Sequence, residues 1–159
     1  MKVAPLAFLA ACVLTACGSS PTPSAGGLSP SPVVSAAGVT PGCNLVPGSL
    51  VTTQLGIAVG NPRATTTPLV TTCMYTVGSN PSGIIIRFQT HEDHAGFIDG
   101  KSNFNSTTDV SGVGDEAYSS VLASYTTLVA RKGTVEIEIT SKAGLAKERS
   151  LMLALLAEL

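Results

Sequence analysis

From residue 43 onward, apolar positions recur first at helical and then at alternating spacing. Leu45, Val46, Leu50, Val51 and Leu55 predict a helix within 44–55, with Pro47 in its first turn and Gly56 at its end. The Pro- and Thr-rich stretch 60–68 reads as a loop. Residues 72–77 and 84–89 read as two strands. The six residues between them, Gly-Ser-Asn-Pro-Ser-Gly, make the pair a hairpin. A helix is expected over 90–101, capped by Thr90 with Asp93 three residues on. Residues 121–130 read as one strand, and Arg131-Lys132-Gly133 as the turn that follows it. Val135, Ile137 and Ile139 then alternate with Glu136 and Glu138, which predicts a strand with its isoleucines in the core and its glutamates in water. The last segment, 143–159, carries Leu145, Met152, Leu155, Leu156 and Leu159 on one helical stripe, with Lys147, Glu148 and Arg149 on the solvent side.

Short connections between strands favour antiparallel pairing. The expected fold is therefore α+β: an antiparallel sheet of about five strands packed with two to three helices, including a C-terminal helix. Residues 43–159 are long enough for a single domain with one core.

The N-terminal pattern is different. Lys2 precedes an apolar run from Val3 to Ala16, shorter than the roughly 20 residues that a membrane-spanning helix needs. The run closes on Leu14-Thr15-Ala16-Cys17, a branched apolar residue and two small ones before a cysteine. Residues 1–16 are thus read as a removed lipoprotein signal peptide with its lipobox, and Cys17 as the lipidated residue. An ordinary secretory signal with a coincidental cysteine is the alternative. Two acyl chains suffice for stable anchoring, at about 0.8 kcal/mol per buried methylene. Between Cys17 and the domain, residues 18–42 hold no charged or aromatic side chain. Such a segment buries too little apolar surface to offset its ordering entropy, so 17–42 is expected to be a disordered Ser/Pro/Gly tether behind the lipidated cysteine. Its r.m.s. span as a flexible chain is about 25–30 Å.

Composition narrows the partners. Nine Lys and Arg stand against ten Asp and Glu, without a basic run, and Trp is absent. Neither a nucleic-acid partner nor a stacking platform for bases is expected. Cys12 lies in the leader and Cys17 carries the lipid, which leaves Cys43 and Cys73. In an exported domain a disulfide between them is the default; a redox pair would call for CxxC spacing, and a metal site for a neighbouring His.

Two stretches invite chemistry. His91-Glu92-Asp93-His94 is the one cluster of metal-ligand residue types, and His91 and His94 are weak metal candidates at i and i+3. The run lacks H-E-x-x-H spacing and a distant third ligand, and it also suits a polar first turn of a helix, where carboxylates complement the dipole. Gly112-Val113-Gly114-Asp115-Glu116-Ala117-Tyr118 has two glycines, but no G-K-[ST] follows and the run leads into a strand. It reads as a turn in which glycines take positive φ and Asp115 bonds nearby N–H groups. A G-x-S-x-G nucleophile elbow is absent from the sequence. No catalytic residue and no cofactor are assigned, and the chain is not expected to be an enzyme.

Cys43-Asn44-Leu45-Val46, Leu55-Gly56, Cys73-Met74-Tyr75, the Gly112–Tyr118 run and a closing Leu-rich helix follow one order. That order resembles the actinobacterial lipoproteins grouped as domain of unknown function 3558, or a closely similar mycobacterial-type lipoprotein family. The resemblance implies a lipid anchor on the extracytoplasmic face of the cell membrane and a disulfide-bearing domain; it implies no reaction. The expected role is a ligand- or partner-binding module for a lipid, a glycan or an envelope protein. The alternatives are a structural or accessory subunit of an envelope complex and, less favoured, a metal-dependent enzyme using His91 and His94.

Overall fold

The structure is a computed structural model and describes residues 40–159. The expected signal peptide, Cys17 and nearly all of the expected tether lie outside the described residues. A 3₁₀ turn at Cys43–Leu45 leads into α1, Gly48–Leu55. Three strands follow: β1 at Arg63–Thr66, β2 at Val70–Val77 and β3 at Asn80–Thr90. Helix α2, His94–Ser102, connects them to β4 (Thr108–Asp109), β5 (Glu116–Leu122), β6 (Tyr125–Lys132) and β7 (Val135–Ser141). Helix α3, Leu145–Ala157, closes the chain.

All strands join one antiparallel sheet in the order β1-β2-β3-β7-β6-β5-β4. It comprises two meanders, β1–β3 and β4–β7, and their last strands, β3 and β7, meet in the middle. The fold class is the expected α+β with a C-terminal helix, but the sheet has seven strands where about five were expected. The two-residue β4 is too short to leave a pattern, and two further causes account for the excess. Arg63–Thr66 is fully exposed, so the edge strand β1 carries no apolar alternation and reads as loop. The expected single strand over 121–130 is in fact the junction of β5 and β6. These pair as a hairpin, Leu122 opposite Tyr125, about a turn in which Ala123 takes φ 55°. A non-glycine residue in that region gives no turn signal in the sequence.

One face of the sheet is closed by α1 and α3. Val51 and Leu55 of α1, and Leu151, Met152 and Leu155 of α3, meet Tyr75, Ile84, Ile86, Leu128, Ile137 and Ile139, all with no exposed surface. Cys43 and Cys73 form the expected disulfide, which ties the 3₁₀ turn to β2. The Tyr75 hydroxyl donates to the Val46 carbonyl beside it. Burial holds that phenol well above its ordinary ionisation range.

Two expectations about charged side chains are corrected. Glu148 does not sit on the solvent side of α3; it is fully buried and accepts from Ser141 Oγ at 2.6 Å. Helix α2 begins four residues later than expected: Asp93, rather than Thr90, is its N-cap, accepting from the Gly96 N–H at 2.9 Å. Among the described residues, no helix is long and apolar enough to cross a membrane.

Candidate functional site

The second face of the sheet is left open except at one end, where α2 lies across it. Strand alternation and register place two rows of side chains on this face. Tyr118, Val129, Glu138 and Arg87 run side by side across β5, β6, β7 and β3. Glu116, Arg131, Glu136 and Gln89 form the next row. Phe97 and Phe104 pack edge-on against the Tyr118 ring, at centroid distances of 5.1 and 5.5 Å, and anchor α2 over that end.

Between α2 and the open face lies a polar cleft of about 520 Å³. Arg87, Gln89, Glu92, Tyr118, Glu136 and Glu138 line its sheet side, and Gly96, Asp99 and Gly100 line its helix side. Glycine at 96 leaves room for the Glu92 carboxylate, which a Cβ there would overlap.

The cleft's hydrogen bonds are unevenly distributed. Arg87 Nη1 donates to Glu138 Oε2 at 3.1 Å, and Nη2 donates to Gln89. Gln89 in turn donates to Glu92. Glu136 receives no hydrogen bond among the described residues; its nearest cation is Arg87 Nη1, at 3.8 Å. Arg131 stands opposite Glu136 in the register, but its guanidinium is engaged by Glu116 Oε1 at 2.5 Å and by the Gly133 carbonyl. Glu136 is nonetheless only 6% exposed. Burial pushes its carboxyl up to about 7; the neighbouring Glu92 and Glu138 add to this, and Arg87 only partly opposes it. Tyr118 is 2% exposed, and its hydroxyl has no hydrogen-bond partner among the described residues. Burial and the Glu136 and Glu138 charges hold that phenol far above its ordinary range.

The His91–His94 run is divided among four jobs. His91 has left the helix, with φ 63°, and its Nδ1 lies 3.2 Å from Thr90 Oγ1. Glu92 turns into the cleft, Asp93 caps α2, and His94 Nδ1 lies 2.7 Å from Glu116 Oε2. The two imidazoles thus have separate partners, and no group of three potential metal ligands forms among the described residues. Glu116 is pulled upward by burial, but the Arg131 and His94 contacts outweigh that and hold its carboxyl below the ordinary range.

The Gly112–Tyr118 run is a turn. Gly112 and Gly114 take φ 69° and 60°, and Asp115 accepts from the Gly133 N–H at 2.7 Å. The cleft residues are the ones sequence reasoning missed. Their signal was present: Arg87 and Gln89 alternate with Ile86 and Phe88, just as Glu136 and Glu138 alternate with Ile137. Glu136 and Glu138 were expected in water; the pairing of β7 with β3 puts them inside the cleft instead.

No family model matches this sequence, and no curated protein does. A GTP binding regulator from Thermotoga maritima has a structure that aligns with 66% of this chain and 83% of its own, at 8% identity and a TM-score of 0.43. At that distance the likeness carries no argument about ligand or activity.

Proposed function

We propose that the chain is a lipid-anchored binding module on the extracytoplasmic face of a bacterial cell membrane, holding a polar ligand in the cleft between α2 and the open sheet face. The observation that carries the reading is the pair Glu136 and Tyr118. Both are more than nine-tenths buried, both line the cleft, and the polar atoms of both lack a hydrogen bond among the described residues. Their polar atoms are not sealed from solvent, and a pair left open toward a cavity suits an incoming ligand. The space between the sheet and α1 and α3, by contrast, is filled by fully buried side chains. That favours a polar ligand over a lipid chain.

The anchor half of the proposal rests on the Leu14-Thr15-Ala16-Cys17 lipobox, the uncharged stretch 18–42 and the resemblance to actinobacterial lipoproteins. Cys17→Ala should block processing or release the protein from the membrane fraction. Unchanged size and retention would defeat the anchor. For the ligand, native mass spectrometry of full-length protein extracted from its envelope should show an added small-molecule mass that Tyr118→Phe diminishes. A bare mass in both would remove the binding reading.

A second reading, an accessory subunit of an envelope complex, is favoured by the tip of the β5–β6 hairpin. Val121 and Leu122 are 67% and 77% exposed there, on consecutive residues. A photocrosslinker at position 122 that traps one dominant protein in whole cells would support it.

A further inference from the structure

We propose, building on the cleft as a binding site, that its ligand carries a protonated primary amine or a guanidinium group, seated on Glu136 and bonded by the Tyr118 hydroxyl. Four carboxyl groups line the cleft, those of Glu92, Asp99, Glu136 and Glu138, and Arg87 is its one guanidinium. Arg87 is committed to Glu138 and Gln89. Gln89 is committed to Glu92. What the network leaves over is negative: the Glu136 carboxylate has no donor, and the one basic side chain opposite it in the register, Arg131, is held by Glu116.

The chemistry of the leftover groups selects the ligand. Glu136 is a largely buried carboxylate that accepts no hydrogen bond among the described residues, and a cationic donor would supply charge and hydrogen bonds at once. An anion entering the cleft would meet this carboxylate and would have to draw Arg87 away from Glu138 at 3.1 Å and from Glu136 at 3.8 Å. A neutral ligand would leave Arg87, at 3.8 Å, as the nearest cation to Glu136. Burial is the main cause that raises the ionisation of Glu136, and the Arg87 charge at 3.8 Å only partly opposes it. Tyr118 adds a neutral oxygen that can accept from an ammonium, within reach of the α2 backbone: a Cβ at Gly100 would lie 3.9 Å from it. Glycines at 96 and 100 keep the helix side of the cleft free of bulk.

The test is calorimetric titration of full-length protein in nonionic detergent with agmatine, spermidine, inorganic phosphate and glucose. Agmatine or spermidine should bind, more weakly as salt rises. Glu136→Gln should weaken that binding by about tenfold or more, since it removes a charge-assisted bond. Tyr118→Phe keeps the ring packing and should weaken it several-fold, so the test does not depend on Glu136→Gln folding. Cation binding unchanged in both variants would place it elsewhere on the surface and overturn the proposal. Binding of phosphate or glucose alone, reduced by Tyr118→Phe, would overturn the cationic ligand and leave the cleft standing as a site. If none of the four binds, the cationic ligand is overturned, and the native-mass measurement decides the binding module separately.

Discussion

Ser141 Oγ donates a hydrogen bond to Glu148 Oε1 at 2.6 Å where no water reaches, and Glu148 Oε2 has no partner at all among the described residues. The same hydroxyl accepts from the Ala143 N–H at 3.0 Å, so one serine links the end of β7 to the first turn of α3. The geometry gives a carboxyl group a structural job in a place that disfavours its charge. Burial pushes Glu148 up to about 7, and the Ser141 bonds only partly oppose this.

The sign of the consequence follows from linkage. The unfolded carboxyl titrates near 4.5 and the folded one near 7, so the folded state binds the extra proton between those values. Stability falls as pH rises across this window and levels off above it, at a cost of about 3 kcal/mol. Glu148→Gln keeps the shape and the acceptor for Ser141 but cannot ionise. It should therefore raise the melting temperature at pH 8 and change it little at pH 4.5. Parallel pH–stability curves for the two proteins would show that Glu148 does not titrate as described.

The Cys43–Cys73 bond closes a loop with a sequence separation of 30. On the chain-entropy model, losing it costs about 3–4 kcal/mol. Urea unfolding of the oxidised protein and of the Cys43→Ser, Cys73→Ser variant should show that difference in stability. Non-reducing peptide mapping should find the two cysteines joined; free thiols at both would exclude the bond.

Gly114 and Gly133 share φ 60° but not their surroundings. A Cβ at Gly114 would overlap the Arg131 carbonyl oxygen, whereas nothing lies within 4 Å of one at Gly133. Gly133→Ala should cost only the left-handed penalty of about 1–2 kcal/mol. Gly114→Ala should cost clearly more, because the Asp115 N–H donates to that same carbonyl at 2.8 Å and holds it in place. Equal losses in chemical denaturation would mean that the turn can shift.

Tyr75→Phe removes the donor to the Val46 carbonyl and keeps the ring in the core. A buried acceptor left without its partner costs about 1–3 kcal/mol. The loss should appear as faster exchange of the amides around the 3₁₀ turn, which this bond and the neighbouring disulfide both hold against β2. Unchanged exchange there would show that the disulfide suffices.

Local patterns determined most of the scaffold. Period-two alternation marked β7, helical spacing marked α1 and α3, and the glycines of the Gly112–Tyr118 run marked a turn, because each of these follows from neighbours in sequence. The expectation of export, together with the count of remaining cysteines, pointed to the Cys43–Cys73 pair. Alternation tells which residues share a face of a strand, but it does not tell what lies on that face. Glu136 and Glu138 read as solvent-facing because β7 alone gives no sign that Arg87 and Gln89 of β3 stand beside them, or that α2 roofs one end. Glu148 read as solvent-facing because Lys147 and Arg149 flank it; only the packing of α3 against β7 brings it to Ser141. The hairpin at Ala123 and the edge strand β1 were hidden for a related reason, one lacking a turn residue and the other lacking an apolar face. For Glu136 and Glu138 the deciding contact, β3 against β7, joins residues far apart in sequence, and for Glu148 it needs α3 folded back on β7; burial, which sets the cost of a charge, exists only once those contacts form.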